Sequence, residues 1–317
     1  LMTYFDKLFD TNFLEYASYV IKDRAIPHIQ DGLKPVQRRI LHTLFEMDDG
    51  KFHKVANIVG QTMKYHPHGD ASIYEALVVL ANKDLFIDRQ GNFGNPYTGD
   101  VASAARYIEC RLLPLAKEVL YRPDITEYID SYDGRNKEPI AFPAKIPVVL
   151  ILGTEGIAVG MSTKILPHNF KEVLEAQIKV LKNKPFTLYP DFPTGGMADV
   201  AEYEDGNGRL TVRAKLDTSD PKRIVVRELP YGLTTETLIT SIEDAARKNK
   251  IKVSGISDYT AENVEVEIRL PRGTHTDEVV DALYAFTDCQ VSYSPCLTII
   301  ADNKPCVLSV TDVVKRS

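Results

Sequence analysis

Prolines at 139, 143 and 147 divide the chain into two stretches whose apolar residues follow different rhythms. Before them the pattern is helical. Phe13 to Arg24 reads as a helix that must stop at Ile26-Pro27, because the residue before a proline is pushed out of helical space. Pro35 suits a first helical turn, where its missing N–H costs nothing, and Val36, Ile40, Leu41, Leu44 and Phe45 then form one apolar stripe. Shorter helices are expected over Lys54 to Met63 and Ser72 to Ala81, the second opened by a Ser72/Glu75 capping box. Gln90 to Asp100 is dense in turn formers and reads as a loop, followed by a helix over Leu112 to Leu120. After the prolines, Arg209 to Leu216, Arg223 to Leu229, Val264 to Leu270 and Gln290 to Ala301 read as strands. Between them, Glu236 to Asn249 and Thr276 to Phe286 read as amphipathic helices. The expected class is α+β, with domains 1–143 and 144–317.

Charge argues mildly against a nucleic-acid partner, since 38 basic and 44 acidic side chains leave −6 overall. Its distribution argues for one. From Lys22 to His66, eight basic residues (22, 24, 34, 38, 39, 51, 54, 64) face five acidic ones (23, 31, 46, 48, 49), a local excess of three. The longest apolar run, Ile146 to Leu152, is broken by Pro147 and falls short of the roughly 20 residues a membrane helix needs. Cys110, Cys289, Cys296 and Cys306 are scattered singly, which suits a reducing cytoplasm. The start, Leu1-Met2-Thr3-Tyr4-Phe5, lacks the form of an export signal, and Leu1 ahead of Met2 reads as the remnant of an expressed fragment.

The two short helices flank Lys64-Tyr65-His66-Pro67-His68-Gly69-Asp70, the layout of a helix-turn-helix DNA reader, although a polar turn between helices is common in any helical domain. His66-x-His68 also has the spacing of a metal pair, but no third ligand at suitable spacing accompanies it. Gly153, Gly156 and Gly160 lack the spacing of a phosphate loop.

Several strings occur in a fixed order along the chain. They are Tyr16-Ala17-Ser18-Tyr19-Val20-Ile21, Arg24-Ala25-Ile26-Pro27, Asp31-Gly32-Leu33-Lys34-Pro35-Val36-Gln37-Arg38-Arg39, the Lys64 to Asp70 turn, Gln90-Gly91-Asn92-Phe93-Gly94, Ala104-Ala105-Arg106-Tyr107 and Gly156-Ile157-Ala158-Val159-Gly160-Met161. Pro190 to Gly196 and Glu228-Leu229-Pro230-Tyr231 follow. Together they resemble the gyrase A and topoisomerase IV C subunits, the breakage-reunion subunits of bacterial type IIA DNA topoisomerases, over nearly the whole chain. The resemblance implies a winged-helix domain of catabolite-activator type followed by a tower domain. The family's next element, a coiled-coil arm, would begin near Val314 to Ser317, so that arm and any C-terminal wrapping domain are expected to be absent here.

What the resemblance implies chemically centres on Tyr107, the position of the tyrosine that takes a 5′ phosphate. A phosphotyrosyl ester keeps the bond energy of the cut strand, so rejoining needs no fresh supply. Phenols ionise only near pH 10, so the site must help remove the proton and neutralise the phosphate. Arg106 is the expected cation, with Arg24 and His68 holding the scissile phosphate and assisting proton transfer. Lys34, Arg38, Arg39, Lys64 and His66 resemble DNA-contacting residues, whose bland alternative is a solvated helix face. Ile157 stands at the family's intercalating isoleucine, with an ordinary core isoleucine as the alternative. Ala71 and Glu75 occupy the quinolone positions, where sensitive relatives often carry serine and an acid, so a weak drug response is expected.

Neither a D-x-D pair, which the family's metal-binding domain uses, nor an ATP site is recognisable, and the resemblance implies that Mg2+ and ATP are bound by a gyrase B or topoisomerase IV E partner. The expected assembly pairs a homodimer of this subunit with two such partners on double-stranded DNA. Ile108 departs from the family's usual threonine, and the loop from Gly94 to Ala104 is longer than in common gyrases. Those departures and Ala71 tilt the reading to topoisomerase IV over gyrase. A non-catalytic winged-helix DNA-binding protein remains the alternative outside the family.

Overall fold

The computed structural model describes residues 4–317, so the reading of Leu1 to Thr3 lies outside them. Helix α1 (Tyr4–Val20) continues into a π-helical turn, Ile21–Ala25, and Ile26 then adopts extended backbone at φ −105°, ψ 129°. The stop falls where Pro27 demands it. Helix α2 (Pro35–Glu46) opens on its proline and buries Ile40, Leu41, Leu44 and Phe45, with Val36 at the core's edge. Strand β1 (His53–Lys54) leads into α3 (Val55–Thr62), and α4 (Asp70–Ala81) follows the histidine turn.

The start of α4 corrects the sequence reading. Gly69 is the residue that enters the helix, Asp70 lies in its first turn, and the Ser72 hydroxyl donates back to the Gly69 carbonyl at 2.7 Å. Ser72 is therefore the third helical residue and forms no capping box with Glu75. An aspartate in the first turn offsets the positive helix end, which makes the earlier start favourable.

Strands β2 (Ile87–Gln90) and β3 (Glu109–Leu112) complete an antiparallel sheet in the order β1-β3-β2. Leu112 belongs to that strand, so α5 (Pro114–Leu120) starts two residues later than expected, at a proline suited to a first turn. A hairpin of β4 (Tyr128–Asp130) and β5 (Lys137–Pro139) then packs against α2. One hydrophobic cluster unites these elements, from Leu33 to Leu152.

Beyond the prolines, the apolar run becomes a short buried helix, α6 (Val148–Leu152), then a hairpin of β6 (Thr154–Ile157) and β7 (Ser162–Ile165). Helix α7 (Phe170–Leu181), not anticipated from sequence, is capped by the Asn169 side chain, which accepts from the Glu172 amide at 3.2 Å. The expected strand over 209–216 is two strands in two sheets, β9 (Leu210–Arg213) after β8 (Met197–Asp199), and β10 (Lys215–Asp217). Ala214 lies between them, its amide drawn to the Cys289 carbonyl at 2.7 Å.

Then come β11 (Arg223–Glu228), α8 (Thr235–Arg247), β12 (Gly255–Asp258), β13 (Val266–Arg269) and α9 (Thr276–Phe286), close to the expected spans except for β12, which was not anticipated. The run 290–301 also divides, into β14 (Gln290–Tyr293) and β15 (Leu297–Ala301), because Pro295 cannot donate to a ladder. Strand β16 (Lys304–Leu308) pairs with β15, and α10 (Val310–Arg316) ends the chain.

The sheets run β10-β11-β13-β12 and β14-β9-β8, with every ladder antiparallel. Helices mixed with antiparallel strands fit the α+β expectation. A second hydrophobic cluster joins α7, β9, β15 and α10, and a third fills the space between the four-stranded sheet, α8 and α9. No helix among the described residues is long and apolar enough to cross a membrane.

Candidate nucleic-acid interface

The π-helical turn and the histidine turn face one another across a cleft of about 240 Å³, lined by Asp23, Arg24, Val36, His66, His68, Gly69 and Ser72. Arg24 is exposed, and among the described residues no carboxylate pairs with it. The His66 and His68 rings meet edge to face, centroids 4.8 Å apart. His68 is hydrogen-bonded through Nε2 to the Tyr19 hydroxyl. Arg39 lies 3.0 Å from His66 Nδ1, and since a guanidinium only donates, that nitrogen accepts and Nε2 carries the hydrogen. Burial first, and then the charges of Arg39, His68 and Arg24, lower the His66 pKa to about 4. At neutral pH it is a hydrogen-bond donor and not a cation.

For the metal-pair alternative, the described residues supply no third ligand. His66 Nδ1 and His68 Nε2 are each committed to a protein partner, and among the described residues no group of three or more His, Cys, Asp or Glu is placed to hold a metal ion. The described residues do not gather the oxygen ligands that Mg2+ requires.

The basic residues at and within the start of α2 fit neither the expected phosphate-contacting role nor its alternative, a solvated helix face. Arg38 is only 6% exposed. Its guanidinium is bonded to Asp31 at 2.6 and 2.9 Å and to the Leu33 carbonyl at 2.9 Å, which leaves no free fork for a phosphate. Arg39 is half-buried and bidentate to Glu138 at 2.6 and 3.2 Å, so it positions His66 from behind the cleft. Lys34 turns its ammonium to the Glu155 carbonyl at 2.5 Å, and burial lowers its pKa. Lys64 pairs with Glu46 at 3.3 Å while remaining partly exposed.

That Lys34 bond braces the β6–β7 hairpin. Gly156 allows the close approach: a Cβ there would stand 2.2 Å from the Ala25 carbonyl oxygen. Ala158 and Val159 pack on Val20, Ala25, Ile26 and Ile300, so the hairpin tip sits beside the Arg24 turn. Ile157 itself is 82% exposed, which rules out the core alternative.

Tyr107 lies elsewhere. It is 64% exposed, its amide donates to the Ala104 carbonyl at 2.9 Å, and the Arg106 guanidinium covers its ring at 4.5 Å from the centroid. Among the described residues Arg106 has no carboxylate partner. The loop is tied to the start of α3, where Val55 and Ala56 donate to the carbonyls of Ile108 and Ala105 at 3.0 Å each. The histidines follow the other end of α3, eight residues and about 12 Å of rise away. Ile108 is buried in the first cluster, where the hydroxyl of a threonine would require a partner. The structure thus gathers Arg24, His66, His68 and the Ile157 hairpin, and leaves Arg106 and Tyr107 apart from them.

Residues 24–317 match the family of the DNA gyrase/topoisomerase IV A subunit. The chain belongs to that family. The resemblance read from the ordered motifs is borne out. Among curated relatives, the DNA topoisomerase 4 A subunit of Borreliella burgdorferi is 64% identical over 304 residues, 96% of this chain and 49% of that protein. The DNA gyrase A subunit of Leptospira biflexa is 36% identical over 332 residues, covering 96% of this chain and 39% of the relative. That of Lawsonia intracellularis is 38% identical over 330 residues, covering 94% and 40%. The chain spans about half the length or less of these relatives.

Within this member of the gyrase/topoisomerase IV family, sequence reading missed three residues that organise the cleft. Tyr19 lies inside a quoted motif, but nothing local singled out its hydroxyl. Asp31 likewise lies in a motif, whereas Glu138, 99 residues from Arg39, had no local signal. Ala71 and Glu75, the expected quinolone positions, are both exposed, one turn apart on α4.

Proposed function

We propose that this chain is the breakage-reunion part of a type IIA DNA topoisomerase of the topoisomerase IV kind, and that Tyr107 is its nucleophile. The observation that carries the reading is an exposed phenol covered by an arginine that no carboxylate neutralises, among 16 tyrosines in the chain. Tyr107 Oη attacks phosphorus, the bond from phosphorus to the 3′ oxygen breaks, and the 3′ hydroxyl leaves with a proton. The 5′ phosphate stays on the tyrosine. Attack by the same hydroxyl reverses the step and restores the strand. Arg106 shares the charge that builds on the phosphate.

The elements α2 to α4 with the β1-β3-β2 sheet would form the winged-helix part, divided from a tower part at residues 143 and 144. The first hydrophobic cluster runs on to Leu152, so α6 would serve both parts. Arg24 and His68 would hold the scissile phosphate, Lys64 would add backbone contact, and Ile157 would wedge between base pairs. Because α3 separates Tyr107 from the Arg24 cleft, a second copy of the chain would bring the two groups to one phosphate. Mg2+ and ATP would be held by a topoisomerase IV E or gyrase B partner in a heterotetramer acting in the cytoplasm. Magnesium would there stabilise developing negative charge.

The identity of 64% to a topoisomerase 4 chain, against 36–38% to gyrase chains, favours decatenation over negative supercoiling. The test is covalent capture of DNA by the full-length protein reconstituted with its ATPase partner and magnesium. Wild-type enzyme should yield an adduct whose mass maps to Tyr107, and Tyr107→Phe should yield none. An adduct undiminished in Tyr107→Phe would leave the non-catalytic DNA-binding reading. Supercoiling of relaxed DNA by the full complex would reassign it to gyrase.

A further inference from the structure

The loop ahead of Tyr107 is anchored at a point remote from the interface. Asn95 to Asp100 forms a closed turn: the Asn95 amide donates to the Asp100 carbonyl at 3.0 Å, and the Gly99 amide to the Asn95 carbonyl at 2.8 Å. The Asn95 side chain accepts from the Tyr97 amide at 2.9 Å. The tip of this turn reaches the second half of the molecule. Tyr97 packs its ring on the third hydrophobic cluster, its hydroxyl points to the Pro193 carbonyl at 3.5 Å, and its own carbonyl accepts from the Thr235 amide at 2.8 Å.

Thr235 is the first residue of α8, and its N–H is one of those a helix start leaves without an internal partner. Gly99 lies against Thr234 with its backbone at φ +90°, a conformation that favours glycine. At its other end the loop is held to the first half. The Ser103 amide donates to the Asn92 carbonyl at 3.0 Å, and the Tyr74 hydroxyl donates to the Ser103 carbonyl at 2.7 Å. Only Val101 and Ala102 separate the closed turn from Ser103, which directly precedes the Ala104 to Tyr107 turn, so the strap has little slack.

We propose that Tyr97 and Thr235 are positioning residues for Tyr107, and that this strap carries the placement of α8 to the nucleophile loop. The proposal rests on Tyr107 being the nucleophile. A strap of this kind makes strand cleavage responsive to movement of the second half against the first. Cutting it frees the Tyr107 loop on the Asp100 side while the residues of the Arg24 cleft and the Ile157 hairpin stay in place. Small displacements of a reacting atom are enough to slow chemistry strongly.

Thr235→Pro separates this role from a merely structural one. Proline is well suited to a first helical position and removes the N–H that Tyr97 accepts from, together with the buried Thr235 hydroxyl bonded to Asp258, whose loss alone is read from a Thr235→Val control that keeps the N–H. Thr234, at φ −106° and ψ 162°, already holds the conformation a residue before proline requires. The second variant, Tyr97→Ala, removes the ring from the third cluster, and Tyr97→Phe restores it. In the full-length holoenzyme, the initial rate of covalent capture is measured beside DNA affinity by fluorescence anisotropy, with Tyr107→Phe as control.

We expect Thr235→Pro and Tyr97→Ala to slow capture about tenfold or more with affinity within about twofold, and Tyr97→Phe to stay near wild type. Unchanged capture rates in both severing variants overturn the proposal. So does an affinity loss matching the rate loss, which marks the turn as scaffold alone. Wild-type capture that persists in Tyr107→Phe removes the nucleophile reading, independently of how the strap variants behave.

Discussion

Arg38 and Asp31 form a bidentate ion pair in the core of the first half, with Asp31 wholly buried. The carboxylate also accepts from the Leu33 and Phe142 amides at 3.1 and 2.9 Å, so the pair links the start of α2 to the segment after β5. Arg38→Ala strands a buried charge and should destabilise the protein by about 3–5 kcal/mol. Urea unfolding measures this. A variant of full stability but weakened DNA binding would return Arg38 to the phosphate-contacting role that its burial argues against.

Arg106 should matter to rate more than to fold. Its side chain is exposed, so Arg106→Ala should move the melting midpoint little while lowering covalent capture by about 10²–10³, the range for removing one charge-stabilising donor. Arg106→Lys keeps the charge but loses the planar stack on Tyr107, and should recover only part of the rate. Capture by Arg106→Ala at the wild-type rate would remove it from the mechanism.

Acid should destabilise the fold through two histidines. Burial, first among the causes in both cases, lowers His66 and His168 to about 4. As pH falls below the ordinary 6.5, the unfolded chain takes up these protons and the folded one does not until near 4. Stability is therefore intact above about 6.5 and lost progressively between 6.5 and 4, by at most about 1.4 kcal/mol per pH unit for each histidine. Melting midpoints measured from pH 7.5 to 5 should be flat and then decline. A midpoint that rises on acidification contradicts the neutral, buried state of both rings.

Ile157→Ala should leave stability within about 0.5 kcal/mol, because the side chain is 82% exposed. Its effect should appear in DNA shape. End-to-end energy transfer on a labelled duplex should report less bending by the holoenzyme carrying the variant, and unchanged bending would argue against a wedge.

On α4, Ala71→Ser places a hydroxyl one turn before Glu75, the serine-and-acid pair that the resemblance leads us to expect at a quinolone site. Drug-stimulated cleavage by the full complex should increase in this variant over the wild-type level. Strong stimulation of the wild type at ordinary drug concentrations would defeat the expectation.

Local chemistry made much of the fold legible. Prolines at 27, 35 and 114 end or open helices where steric rules require, and α9 spans the residues its periodicity marks. Legibility failed where a residue had two options and another residue, distant or near, chose between them. Ala214 splits a strand because Cys289 takes its amide, and Ser72 became an interior helical residue because Asp70 could begin the turn.

By itself the sequence determined the family, through motifs whose order survives without any contact being known, and it singled out Tyr107 and Ile157 by position in them. Tertiary structure alone decided which charges meet solvent. Arg24 and Arg106 are exposed, whereas Arg38 and Arg39 are taken up by Asp31 and Glu138. It also decided that the histidines and Tyr107 stand at opposite ends of α3. The physical reason is that a side chain's charge, partner and exposure depend on what packs against it, and Glu138 reaches Arg39 across 99 residues of chain that no local pattern records.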